Sequence, residues 1–151
     1  MRTEEPPGAL SRFLEAQEPV IDQAIAELRA GRKTSHWMWF VFPQLVGLGN
    51  SPTSEFYGIK DLLEAEAYLA HPVLGGRLMH CASAVLKHRG KKLDDILGYT
   101  DKLKFCSSMT LFSRVPTASA TFHEALDTFC NGREDPTTLR LLAHADAKQK
   151  Y

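Results

Sequence analysis

The fold is decided by residues 32–44, which read Arg32-Lys33-Thr34-Ser35-His36-Trp37-Met38-Trp39-Phe40-Val41-Phe42-Pro43-Gln44. This segment holds both tryptophans of the chain beside a histidine, two cations and an amide. An ordinary core segment would carry aliphatic side chains, so such an aromatic run either fills a bulky centre or lines a place where a flat ligand binds. The segment therefore predicts a short buried helix that borders a pocket.

Helical periodicity continues on both sides of this segment, and alternating strand patterns of any length are missing. We therefore expect an all-α protein of about six to eight helices. The predicted helices span residues 12–30, between Ser11 and Gly31, and residues 36–42, 59–70, 72–89, 94–97, 100–112, 118–130 and 136–144. Pro19 is expected to kink or restart the first of them. Predicted N-caps are Ser11, Thr34 or Ser35, Thr100 or Asp101, and Asp135.

The chain has 151 residues, the size of one ordinary domain. We expect a disordered leader over residues 1–10 and one helical domain over residues 11–147. A composition of 44% hydrophobic and 24% charged residues is typical of a soluble globular protein. Neither a membrane-spanning stretch nor a signal peptide is recognisable, which predicts a cytosolic protein without a membrane partner.

Charge and metal-binding residue types exclude several function classes. Lys plus Arg balances Asp plus Glu at 18 each, which argues against a nucleic-acid partner. The histidines are dispersed and lack the spacing of zinc hydrolases, so neither a metal site nor a cofactor is predicted. The three cysteines lie apart in apolar helical contexts and are interpreted as reduced, buried thiols; the alternative is a catalytic thiolate at Cys106.

Several motifs together resemble one known family. They are residues 12–17 (RFLEAQ), 27–33 (ELRAGRK), 35–45 (SHWMWFVFPQL), 57–59 (YGI), 67–75 (AYLAHPVLG) and 102–112 (KLKFCSSMTLF). From about residue 11 to residue 142 the chain is similar to the domain of unknown function family 1810. The resemblance implies an all-helical, mainly bacterial cytosolic domain without an established activity. Such proteins often carry the label calpastatin, but a calpain inhibitor is expected to be a long disordered chain. Cys106 departs from the polar or basic residue expected before the paired serines.

The aromatic segment supplies the first candidate site residues. His36 is a candidate general base, because its ordinary pKa lies near neutrality. On a regular helix Trp37 and Trp39 point about 200° apart, so Trp39 is assigned to the pocket and Trp37 to the core. Arg32 and Lys33 precede a helix N-terminus, where an anion is favoured, or they cap the preceding helix. Gln44 carries an amide that needs a partner from the backbone or from a ligand.

A second candidate cluster lies on the predicted helix over residues 100–112. Lys104 precedes Ser108 by one helical turn, which suits phosphate binding or activation of a serine nucleophile. His36, Ser108 and Lys104 are therefore the candidate catalytic residues, and Ser107 and Asp101 join the ligand-binding candidates. The alternative is that both serine hydroxyls donate hydrogen bonds to backbone carbonyl groups of their own helix and allow other helices to pack closely.

Two function classes remain open. The first is a pocket that joins the aromatic helix to the Lys104 helix and takes a nucleotide-like or ADP-ribose-like ligand, with hydrolysis of an N-glycosidic or phosphoester bond as the reaction. The second is a protein-interaction module without enzymatic activity, whose aromatic run is core and whose binding face is an exposed apolar helix surface. The oligomeric state is not predicted.

Overall fold

The all-α prediction is confirmed by a computed structural model, which describes residues 10–149 and their side chains through residue 145. In the described residues the helices are α1 (Ser11–Gln17), α2 (Ile21–Ala30), α3 (Met38–Val41), α4 (Pro52–Phe56), α5 (Leu62–Ala70), α6 (Leu74–Leu86), α7 (Leu93–Leu97), α8 (Tyr99–Ser113), α9 (Thr121–Phe129) and α10 (Pro136–Gln149). They outnumber the expected six to eight because the first predicted helix is divided into α1 and α2, and because the five-residue α4 was not predicted. The predicted leader lies, apart from residue 10, outside the described residues.

The first predicted helix is in fact two helices. α1 ends at Gln17, and α2 begins at Ile21 after a turn that contains Pro19. Proline cannot donate a backbone hydrogen bond, so the hydrogen-bond ladder of α1 does not continue through Pro19. Gly31 ends α2 in the left-handed conformation, with φ of 80°.

Several predicted caps are wrong, and Asp135 is right. α1 begins at Ser11 itself, and α8 begins directly after Gly98, so neither uses a side-chain cap. α3 begins at Met38 rather than at His36, because the backbone before it is bound to a carboxylate of α2, as described below. Asp135 Oδ2 accepts a 2.9 Å hydrogen bond from the Thr138 backbone N–H at the start of α10.

The hydrophobic core is built around α8, which packs against α5, α7, α9 and α10. Phe105, Met109 and Phe112 of this helix are fully buried. Phe105 meets Phe42 edge-to-face at 5.1 Å between ring centroids, and Phe112 lies 5.4 Å from the ring of Tyr68. Aromatic pairs at such separations add stabilisation beyond the area they bury. Part of the aromatic segment is therefore core, as the second hypothesis expects.

The cysteine prediction is wrong for two of the three residues. Cys106 on α8 and Cys130 after α9 form a disulfide, with Cα atoms 6.0 Å apart. The 24-residue separation in sequence conceals that α8 and α9 are packed neighbours. The bond also removes the alternative of a catalytic thiolate at Cys106. Cys81 is a free, buried thiol, and burial raises its pKa to about 12.

Two buried polar side chains of α1 bind the segments that pack against it. The Gln17 amide donates to the Phe40 carbonyl oxygen at 2.7 Å and thereby ties α1 to α3. The Arg12 guanidinium donates to the carbonyl oxygens of Phe56 and Gly58, at 2.7 and 2.8 Å. Both contacts satisfy carbonyl groups that lack a helical partner.

Over residues 10–149, no helix is long and apolar enough to cross a membrane.

Candidate functional site

Two adjoining cavities lie where the aromatic segment meets α8. The first, here called the His36 cavity, has a volume of about 240 Å³ and is lined chiefly by Lys33, His36, Trp39, Thr53, Asp101 and Lys104. The second, called the Gln44 cavity, has a volume of about 320 Å³ and is lined chiefly by Trp39, Gln44, Leu48, Leu103, Lys104 and Asp135. Trp39 and Lys104 border both cavities. Their side chains therefore form the wall between the two.

A compact charged cluster lies at this wall. Asp101 is bound by two ammonium groups, Lys33 Nζ at 2.9 Å and Lys104 Nζ at 3.1 Å. Lys33 Nζ also lies 5.0 Å from the ring centroid of Trp37, and Lys104 Nζ lies 4.6 Å from that of Trp39. A cation over an indole face is attracted by the ring quadrupole. Since two cations share one carboxylate, the cluster keeps an excess positive charge in a fixed position.

The loop that carries Lys33 and His36 is anchored by Glu27 on α2. The Glu27 carboxylate accepts hydrogen bonds from the backbone N–H groups of Thr34 and Ser35, at 2.8 and 3.1 Å, and from Trp37 Nε1 at 2.9 Å. Ser35 Oγ donates to the second carboxylate oxygen at 2.5 Å. Burial raises the pKa of Glu27, but these hydrogen bonds outweigh that effect and hold it well below its usual range. Glu27 thus stays ionised and fixes the loop.

The structure separates the two tryptophans. Trp37 is 1% exposed, and its indole N–H donates a hydrogen bond to the Glu27 carboxylate. Trp39 is half-buried and presents its ring to both cavities. The next loop approaches that ring closely at Gly49, where a Cβ atom would lie 3.3 Å from the Trp39 ring and 2.8 Å from Ser54 Oγ. Only glycine fits between them without displacement, so the loop supports the Trp39 ring.

Gln44 has a fixed backbone and an unpaired amide. Its carbonyl oxygen accepts from the Ile59 backbone N–H at 2.8 Å, and the next residue, Leu45, forms an isolated parallel bridge with Ile59. The residue is 6% exposed, yet Gln44 Nε2 has no hydrogen-bond partner among the described residues. Buried donors are nearly always satisfied, so an unpaired one next to a cavity is notable.

The far wall of the Gln44 cavity is made by the start of α10. Asp135 Oδ2 accepts from Thr138 Oγ1 at 2.6 Å, and Ser107 Oγ, which donates to the Leu103 carbonyl oxygen of its own helix at 3.1 Å, lies 3.3 Å from Asp135 Oδ2. The Asp135 backbone N–H donates to Thr110 Oγ1 at 2.8 Å. These contacts join α8 to α10 and hold the Asp135 carboxylate at the cavity.

Most of the predicted site residues lie together at the two cavities, namely His36, Lys33, Trp39, Gln44, Asp101, Lys104 and Ser107. Two do not. Arg32 is exposed and lines a different concavity, together with Lys91 and Asp94. Ser108 is fully buried in α8, its Oγ has no partner among the described residues, and Lys104 pairs with Asp101 instead. The predicted pairing of Lys104 with Ser108 as a nucleophile is therefore absent.

The sequence does not assign to the site four further polar residues that line the cavities, of which Thr100 and Asp135 are predicted only as caps: Thr53, Thr100, Asp135 and Thr137. Asp135 was assigned a cap alone, and the threonines lie near helix starts, where hydroxyls are common. No local pattern marks such residues, because their shared surface arises from long-range packing.

Within the described residues, no group of three or more His, Cys, Asp or Glu is placed to hold a metal ion.

Comparison with known proteins places the chain in a family. Residues 7–142 match the model described as a protein of unknown function (DUF1810). The chain belongs to this family. It is also similar to the solved structure of the conserved hypothetical protein Rv1873 from Mycobacterium tuberculosis, with 51% identity and a TM-score of 0.88. That similarity covers 91% of this chain and 99% of the other. No curated protein gives a significant match.

Proposed function

We propose that this member of the family binds a small anionic molecule with an aromatic ring, for which a nucleotide-like compound such as ADP-ribose is the best fit. The observation that carries the proposal is the contact of Lys104 with Trp39, which places a cation and an indole face side by side at the wall of two cavities. Any of the nucleobases can stack its face on an indole ring, and a phosphate pairs with ammonium groups.

The charge distribution supports an anionic group in the His36 cavity. Lys33 and Lys104 both face Asp101, which neutralises one of them. A phosphate that joined the cluster would balance the second cation. His36 lies exposed at the same cavity and offers a further hydrogen-bond donor. The cavity therefore matches a phosphate better than a neutral group.

The size of the site supports one ligand that spans the wall. Separately, volumes of about 240 and 320 Å³ lie at or below the lower end of the range of roughly 300–1,000 Å³ that is usual for small-molecule sites. A nucleotide has two chemically different ends, which suits one aromatic and one cationic compartment. Its base would stack on Trp39 and its phosphate would lie near Lys104.

Hydrolysis is the reaction to assay at such a site. The burial of Ser108 leaves His36 and Lys104 as the candidate catalytic groups at the cavity. His36 would act as general base toward a water molecule, and Lys104 would neutralise a developing phosphate charge. The proposal rests on binding, and release of base or phosphate from a bound nucleotide is the extension to be measured.

The proposal is tested by calorimetric titration with adenosine 5′-monophosphate, ADP-ribose and ribose 5-phosphate. Lys104→Met should weaken binding about 10- to 100-fold, since a charge-assisted hydrogen bond contributes about 1.5–3 kcal/mol. Lys102→Met is the matched control, because Lys102 lies on the same helix, 4.7 Å from the Tyr99 ring and paired with Asp94, and lines neither cavity. Equal affinity in both variants, or no binding to the natural chain, would refute the proposal.

A protein-interaction module is the second candidate, and one observation favours it. Tyr99 and Leu103 lie four residues apart on α8 and are 69% and 59% exposed. Neighbouring apolar side chains on a helix face are typical of a docking surface. Tyr99→Ser should then abolish a partner complex without affecting nucleotide titration, whereas Lys104→Met should spare the complex.

A further inference from the structure

The Gln44 cavity contains an unpaired buried donor beside an aromatic wall. Gln44 Nε2 has no hydrogen-bond partner among the described residues, although the residue is only 6% exposed. The backbone of Gln44 cannot shift easily, because two hydrogen bonds of 2.8 Å fix it to Ile59. The Ile59 N–H donates to the Gln44 carbonyl oxygen, and the Ile59 carbonyl oxygen accepts from the N–H of residue 46. Burial of a donor without a partner carries a penalty that proteins rarely accept without a functional reason.

The other residues of the Gln44 cavity are of the types that bind a flat ring. Trp39 forms one wall, and the aliphatic side chains of Leu48 and Leu103 add apolar surface. Asp135 offers an acceptor on the same lining, and its Oδ2 is held by the backbone N–H and the hydroxyl of Thr138. A ring in this cavity would thus meet apolar surface on its faces and an acceptor on the surrounding lining. Gln44 Nε2 is inaccessible to solvent in the free protein, so the Gln44 side chain would have to turn toward the ring to donate to it.

We infer that the Gln44 cavity is the base subsite of the proposed nucleotide site, and that Gln44 is its specificity-determining residue. The inference deepens the proposed function and rests on it. The ligand class is a heterocycle that presents a hydrogen-bond acceptor to Gln44 and an N–H group to Asp135, with its phosphate on the opposite side of Trp39. Asp135 is acceptor-only when ionised, so the ring must supply the second donor.

Binding of the ring would satisfy the Gln44 amide and add selectivity. A site built to hydrogen-bond a substrate group discriminates strongly against ligands that lack it, because the buried protein group is then left unpaired. Ribose 5-phosphate has the phosphate of a nucleotide but no base. The natural chain should therefore bind at least one of adenosine, guanosine and uridine 5′-monophosphate about 10-fold or more tightly than ribose 5-phosphate.

Gln44→Met tests the role of the donor, since methionine preserves length and apolar volume but cannot donate. The variant should lose most of the preference for the nucleotide over ribose 5-phosphate and retain its affinity for ribose 5-phosphate. Its unfolding midpoint without ligand should be unchanged or higher, because an unpaired buried donor has been removed. A purely structural glutamine would give the opposite change in the midpoint.

The outcomes separate this inference from the proposed function. Equal affinity of the natural chain for nucleotides and ribose 5-phosphate would overturn the base subsite and leave the anion site standing. An unchanged preference in Gln44→Met, or a lower unfolding midpoint, would overturn the role of Gln44. No binding of any of these ligands would refute the proposed function and the inference together.

Discussion

Replacement of Glu27 by glutamine should destabilise the loop that carries the candidate site. The Glu27 carboxylate accepts from Thr34, Ser35 and Trp37 at 2.5–3.1 Å, and from Gln23 at 3.0 Å. Hydrogen bonds to a charged group contribute about 1.5–3 kcal/mol and neutral ones about 0.5–1.5 kcal/mol. The neutral amide oxygen can still accept from the three donors that Oε1 binds, so each loses about 1 kcal/mol. The NH2 group that replaces Oε2 can only donate, so the Ser35 hydroxyl and the Gln23 amide, which now donate to Oε2, must turn to accept from it.

The total loss for Glu27→Gln is therefore about 3 kcal/mol, which corresponds to a fall of roughly 6–12 °C in the unfolding midpoint of a domain of this size. Differential scanning calorimetry at neutral pH measures it. Glu15→Gln is the matched control, since Glu15 is an exposed carboxylate on α1 and should change the midpoint little. Equal midpoints for the two variants would contradict the anchoring role of Glu27.

The pH dependence gives a second readout of the same substitution. The pKa of Glu27 lies well below its unfolded value of 4.5. Its contribution to stability is thus complete above that value and is lost as the pH falls through the folded pKa. Glutamine imitates the protonated side chain at every pH. The difference in midpoint between the natural chain and Glu27→Gln should accordingly shrink below about pH 4.5; a constant difference would refute the pKa shift.

Two further predictions concern the cysteines. Reduction of the bond between Cys106 and Cys130, or Cys106→Ser, should lower the free energy of unfolding by about 3 kcal/mol, because the bond closes a loop over a separation of 24 residues; an unchanged midpoint under reducing conditions would contradict the pairing. Cys81 should resist alkylation in the folded protein at mildly alkaline pH, since burial raises its pKa to about 12. Mass spectrometry measures the alkylation, and rapid modification would show that the thiol is accessible.

Periodic and compositional signals in the sequence were sufficient for the helical fold. The apolar positions of α2 and α6 recur at the helical period, and Gly31 and Asp135 mark element ends by their own chemistry. Failures occurred where a distant side chain competes with a local signal. Thr34 looks like a cap, but Glu27 binds its backbone N–H and delays the start of α3.

The candidate site was predictable only in part. A half-buried Trp39 and a Lys104 on a separate helix were named from their residue types, and their approach to 4.6 Å is a product of tertiary packing. Helical spacing alone suggested that Lys104 reaches Ser108, whereas Asp101, one turn earlier, is the better electrostatic partner. The disulfide was missed for the same reason: the contact of α8 with α9 is not encoded in local spacing.

Titration of tryptophan fluorescence with nucleotides is the most direct test of a ligand site at Trp39. Trp39 borders both cavities, whereas Trp37 borders the His36 cavity alone, is 1% exposed and is bound to Glu27, so a ring stacked in the Gln44 cavity should affect the emission of Trp39. A saturable change with adenosine 5′-monophosphate or ADP-ribose is predicted for the natural chain, and its loss for Trp39→Phe. No saturable change, or an equal change in Trp39→Phe, would contradict a nucleotide-like ligand at this wall.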